Sequence, residues 1–137
     1  AALPATAPAH AQDEANDTRL VTILTAPEPQ TQLMAMVLTM QALMQGHEAH
    51  ILLCGPAGDV ALQDAPESAT MPQPPRDMSV QGLMKGIMDR GGTVEVCAIY
   101  LPGKGLDASA LIDGVTAAKP DAMAAAMMAE NVRLLSL

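Results

Sequence analysis

A short apolar run, a long helix without a single charge, and a second short apolar run open the ordered part of this chain. Residues 20–25 (LVTILT) are rich in β-branched side chains and stop at Ala26-Pro27, as a strand does. From Pro29 to Gln45, Leu33, Met36, Val37, Met40 and Met44 recur at helical spacing, and Gly46 closes the pattern. Residues 49–54 (AHILLC) form the second run, ended by Gly55-Pro56. No charged residue stands between Glu28 and Glu48. Met34, Leu38 and Leu43 widen the apolar surface of that helix beyond one stripe, so it must be covered on more than one side. A strand, a buried crossover helix and a second strand make a parallel pair, and a parallel sheet needs both faces covered.

The rest of the chain continues the alternation. Residues 57–77, with Pro66, Pro72, Pro74 and Pro75, read as a long irregular loop, with a helical turn at Gly58 to Leu62. A helix is expected over 78–90, with Val80, Leu83, Met84, Ile87 and Met88 inward, Asp77 or Ser79 as its cap and Gly91-Gly92 as its stop. Residues 94–106 (VEVCAIYLPGKGL) read as a strand through Leu101 running into a Gly/Pro loop. A short helix over 108–113, capped by Asp107, follows. Then come a short extended piece at 114–118, an Ala/Met helix over 121–130 and a last strand over 132–137. The expected fold is one three-layer α/β/α domain over 19–137, with a mainly parallel sheet of about five strands in an order the sequence does not fix.

Residues 1–18 have another character. They are Ala/Pro-rich, and Ala9-His10-Ala11 before Gln12-Asp13 resembles a small-x-small cleavage site. They are expected to be a leader, either the remnant of an export signal or disordered. An exported protein would be periplasmic, and its two cysteines would meet oxidising conditions.

Composition narrows the function. With 137 residues and half of them hydrophobic, the chain can bury a core. A net charge of −8 without a basic cluster argues against nucleic acid and anionic membrane as partners. One Tyr and no Phe or Trp leave almost nothing for stacking on bases or sugars. No apolar run reaches membrane-spanning length. Eleven methionines fill space instead, and the row Met36, Met40, Met44 reads as core or interface, with a copper ladder as the rarer use.

Chemistry gathers at Cys97. Ligands and reactive groups in an open α/β sheet collect beyond the carboxyl ends of the strands, where Cys97 is expected. Lys104 lies across a glycine-flanked loop between Gly103 and Gly105, and a cation beside a thiol favours the nucleophilic thiolate. The plain alternative is an inert core cysteine. Cys54, at the end of its own strand, reads as a buried structural thiol. Its rival reading is a bond to Cys97, which needs Cα atoms within about 7 Å. His47 and His50 are three apart, but Gly46 ends the helix before them, and zinc would lack further ligands nearby. Gly103-x-Gly105 lacks the remaining features of a dinucleotide fingerprint. The residues call for no cofactor and no metal.

Cys97, six intervening residues and Lys104-Gly105-Leu106 resemble the Cys-x6-Arg-Gly-(Val/Ile) segment of the DsrE/TusD/YchN family. Lys104 takes the arginine position, and Tyr100 stands where some members carry a second cysteine. The likeness spans roughly 19–137. It implies a small α/β subunit of a trimer or hexamer that exchanges persulfide sulfur on Cys97 with donor or acceptor proteins, assisted by Lys104. Cys54, Tyr100, Gly103 and Gly105 would line the pocket at the strand ends. The alternative is a non-catalytic oligomeric module binding a small molecule, a soft metal ion or a protein.

Overall fold

A computed structural model describes residues 18–137. The expected leader lies almost wholly outside these residues. Five strands, β1 (Arg19–Leu24), β2 (Glu48–Leu53), β3 (Thr93–Val96), β4 (Thr116–Ala117) and β5 (Val132–Ser136), form one sheet. Every pairing is parallel, and the order is β4-β3-β2-β1-β5. The helices are α1 (Pro29–Met44), α2 (Glu67–Thr70), α3 (Val80–Asp89), α4 (Tyr100–Lys104) and α5 (Pro120–Met128). The expected α/β architecture is present. Among the described residues no helix is long and apolar enough to cross a membrane.

The strand order decides where the helices go. From β1 to β4 the chain steps in one direction across the sheet, then returns past β1 to lay down β5. Right-handed crossovers put connections of one direction on one face and the return on the other. Accordingly α1, α3 and α4 share a face and a core with Leu24, Ile51, Leu53, Val94 and Val96, all at most 1% exposed. The return helix α5 stands over the opposite face, where Val21, Ala118 and Met123 make a much smaller cluster.

Local chemistry closes the main face. Ser79 caps α3 by accepting from the Gly82 N–H at 3.0 Å. An added Cβ at Gly86 would press on Met40 Cε at 3.2 Å, so glycine there lets α3 approach α1. Polar side chains in this core are bonded. Thr39 donates to the Ala35 carbonyl and meets the Thr22 hydroxyl, both at 2.7 Å. Gln81 donates to the carbonyls of Val60 and Leu62, holding the loop after β2 against the core.

Two expectations change. β3 stops at Val96, and Tyr100–Lys104, expected as strand and Gly/Pro loop, is helical. Tyr100 N–H bonds back to the Cys97 carbonyl, turning the chain. Pro102 is acceptable in the first turn of a helix, where its missing N–H costs nothing. The actual stop is Gly105, whose φ of +68° is the left-handed cap position. The expected helix over 108–113 is a single 3-10 turn, Ala108–Ala110. Asp107 caps it as anticipated, and Leu111 leaves it to bridge Leu62.

Candidate functional site: a disulfide between two clefts

Strand register builds the site. Leu53 stands opposite Val96 in the β2–β3 pair, so the next residues, Cys54 and Cys97, emerge side by side at the carboxyl edge of the sheet. The Cys97 N–H donates to the Leu53 carbonyl at 2.8 Å, extending the ladder by one bond. The Cα atoms are 5.3 Å apart and the sulfurs are joined in a disulfide. The plain reading of two separate thiols thus gives way to the rival one. The reason is the adjacency of β2 and β3, which the sequence left open.

The bond sits between two openings of different character. On one side a cleft of about 470 Å³ is lined by Cys54, Gly55, Pro56, Asp59, Ile99, Tyr100, Gly103 and Lys104. Tyr100 donates its hydroxyl to Asp59 Oδ1 at 2.5 Å, and Lys104 Nζ reaches the same oxygen at 3.2 Å. Tyr100 packs over Gly58, where any side chain would collide with the ring. Burial and the adjacent carboxylate hold the phenol protonated far above its usual range. On the other side a cleft of about 300 Å³ is lined by Leu52, Cys97, Ala98, Ile99, Ala118, Pro120, Met123, Ala124 and Met127. It lies where the loop after β3 turns to one face and the loop after β4 to the other, the switch point at which open α/β sheets take ligands.

The expected site residues are thus distributed. Cys54, Tyr100, Gly103 and Lys104 share the cleft that holds the Asp59–Lys104 pair, Cys97 opens on the uncharged one, and Gly105 serves as the α4 cap. Lys104 lines the side of Cys54 and is engaged with a carboxylate, whereas the sequence had suggested it beside Cys97. Asp59 was missed. Its only signal is its place in the Gly/Pro-rich stretch after Cys54, and its role depends on Tyr100 folding back over Gly58. Of the histidines, His50 pairs with Glu95 at 2.5 Å on the α5 face, while His47 lies in the turn before β2. Among the described residues no three His, Cys, Asp or Glu side chains gather as a metal site.

Fold and site define a small parallel α/β protein with a cysteine pair at the carboxyl edge of its sheet. Its fold is that of the ychN protein from E. coli, with a TM-score of 0.62 and 15% identity over 88% of this chain and 99% of that one. It is similar also to MTH1491 from Methanobacterium thermoautotrophicum, a protein of unknown function (TM-score 0.65, 14% identity, 88% and 100% covered). BT1422 from Bacteroides thetaiotaomicron, likewise of unknown function, is a third such structure (TM-score 0.66, 19% identity, 90% and 97% covered). At these identities the likeness is one of fold. No family model and no curated protein matches the chain.

Proposed function

We propose that the protein handles sulfane sulfur, with Cys97 as carrier and Cys54 as the thiol that closes on it in the oxidised form. The observation that carries this reading is the pairing of the two cysteines at a strand-end site open on both sides. In the reduced form the Cys97 thiolate attacks the outer sulfur of a donor persulfide. An S–S bond forms on Cys97, the donor's S–S bond breaks, and the donor leaves as a thiolate. An acceptor thiolate then attacks the outer sulfur of the Cys97 persulfide: an S–S bond forms on the acceptor, the S–S bond on Cys97 breaks, and Cys97 leaves as the thiolate. The chemistry asks for no cofactor. A disulfide of this kind suits an oxidising compartment such as the periplasm.

The unit is proposed to be a homo-oligomer. Met34, Leu38 and Leu134 are about half exposed, and β5 is an edge strand paired only with β1. Exposed apolar side chains on α1 and β5, and an open strand edge, are each a kind of surface that a second copy can cover. Light scattering should give a mass above 14.2 kDa at micromolar concentration. A binding module without chemistry is the second reading, favoured by the purely apolar lining of the Cys97 cleft.

The test is to reduce the protein, expose it to polysulfide and weigh it. Each sulfur gained adds about 32 Da, and the persulfide is an early, reversible state of a thiol. Cys54→Ser should keep the added mass and Cys97→Ser should lose it. Folded, reduced wild type that takes up no sulfur would leave the binding module as the reading to pursue.

A further inference from the structure

We infer that the oxidised protein is itself a sulfide acceptor: hydrosulfide approaches through the Lys104 cleft and attacks Cys54 Sγ, leaving a persulfide on Cys54 and a thiolate on Cys97. This builds on the sulfur-handling reading and assigns its disulfide state a substrate class and a direction of approach.

Geometry supplies the regiochemistry. A nucleophile opens a disulfide by lining up with the S–S bond behind the sulfur it attacks, and access decides which sulfur that is. The two openings are not equivalent. Cys54 lines one and Cys97 the other, with Ile99, 76% exposed, on the wall between them. A nucleophile in the first cleft therefore meets Cys54 and expels Cys97, and one in the second does the reverse.

Desolvation decides which cleft a small anion uses. The cleft of Cys97 carries no charged or hydrogen-bonding side chain, so an anion entering it gives up water with no side-chain cation or donor to replace it. The cleft of Cys54 offers the Lys104 ammonium, whose side chain is 46% exposed and held by one 3.2 Å contact to Asp59. Asp59 offsets part of that charge. Its Oδ1 is also taken by the Tyr100 hydroxyl, which burial keeps protonated, so no free phenolate repels the approaching anion. The difference between the clefts is thus one of a side-chain cation against none.

The step balances within the protein. The new bond joins the hydrosulfide sulfur to Cys54 Sγ, and the Cys54–Cys97 bond breaks with its electron pair going to Cys97. The incoming sulfur is oxidised to the sulfane level and the disulfide is reduced. The disulfide is the oxidant, and the proton of hydrosulfide stays on the new persulfide. A persulfide donor is then left on the polar side, and the freed Cys97 thiolate faces the apolar side.

The experiment treats fully oxidised protein with sodium sulfide under anaerobic conditions, alkylates at once and digests with trypsin. Arg76, Lys85 and Arg90 lie between the two cysteines, so they leave on different peptides. The expected result is one extra sulfur on the Cys54 peptide and a plain alkylated thiol on the Cys97 peptide. Lys104→Ala should slow sulfide addition several-fold while opening by an uncharged nucleophile, tris(hydroxypropyl)phosphine, changes less than twofold. Extra sulfur on the Cys97 peptide overturns the assignment, as does no addition of sulfide when the phosphine opens the bond. An equal slowing of both nucleophiles by Lys104→Ala overturns the role of the cation. Polysulfide uptake by the reduced protein is independent of all three outcomes. If that uptake persists while sulfide fails, this inference falls and the carrier reading stands.

Discussion

The two faces of the sheet are built from the same strands and have little else in common. On the α1/α3 face, Thr22, Leu24, Ile51, Leu53, Val94 and Val96 are sealed, and the one polar side chain among them is bonded to Thr39. On the α5 face, alternate residues of the same strands meet a single nine-residue helix. There Val21, Ala118 and Met123 are buried, Ile23 and Leu52 only partly, and Leu134, in register with Val21, stands 55% exposed. Topology causes the difference, because three connections run one way and one returns. One short helix does not cover five strands, and the apolar cleft beside Cys97 is part of what it leaves open. The bonded sulfurs of Cys54 and Cys97 sit where the thick layer ends and the thin one begins.

The largest effect that tests this contrast uses one residue type on both faces. Met84, fully buried on the thick face, should cost about 2–5 kcal/mol on Met84→Ala, since a sealed site leaves a cavity. Met123→Ala should cost less, about 1–2 kcal/mol, because Met123 lines an open cleft whose walls can relax or hydrate. Urea unfolding of both variants measures the gap. Equal losses would mean that α5 packs as tightly as α1 and α3, and the contrast would fail.

Next in size are the polar pairs of the two faces. Thr39→Val strips the Thr22 hydroxyl of its partner in a dry core and should cost about 1–3 kcal/mol. On the α5 face, Glu95→Gln keeps a hydrogen bond to His50 and leaves neither largely buried side chain without a partner, so about 0–1 kcal/mol is expected. Chemical denaturation of the two variants reads the difference. A larger loss in Glu95→Gln would mark that face as drier than its packing suggests.

Legibility in the sequence followed the same division. The thick face rests on periodicity, and α1 and α3 were found within two residues of their ends, because a sealed helix must repeat its apolar positions. The stretch after Cys97 was misread because Ile99, Tyr100 and Leu101 are as apolar as a strand. Their conformation is set by a turn at Cys97 and by the Gly58 surface on which Tyr100 lies. The disulfide was legible only as an alternative. It requires β2 beside β3 in a particular register, and a pairing between strands leaves no trace in either strand alone. Asp59 was invisible for a related reason, since its partners come from α4, some forty residues downstream.

The effect that is smallest at neutral pH concerns Tyr100, the only Phe, Tyr or Trp side chain in the protein, buried on the thick side with its hydroxyl on Asp59. Burial comes first among the causes that raise its pKa above the ordinary 10.0, and the bond to Asp59 and its charge follow. Below pH 10 the phenol is protonated in both folded and unfolded chains, and the fold keeps its full stability. Above pH 10 the unfolded chain releases this proton and the folded one holds it, so stability falls by about 1.4 kcal/mol per pH unit until the folded value is reached. Lysines also titrate there, so the comparison is with Tyr100→Phe, which should start less stable for lack of the Asp59 bond but lose stability more shallowly with pH. Because the chain has one tyrosine, tyrosinate absorbance follows this group directly. It should appear together with unfolding as pH rises. Ionisation near pH 10 in protein that is still folded would show the ring to be hydrated, and the seal on that side of the site to be incomplete.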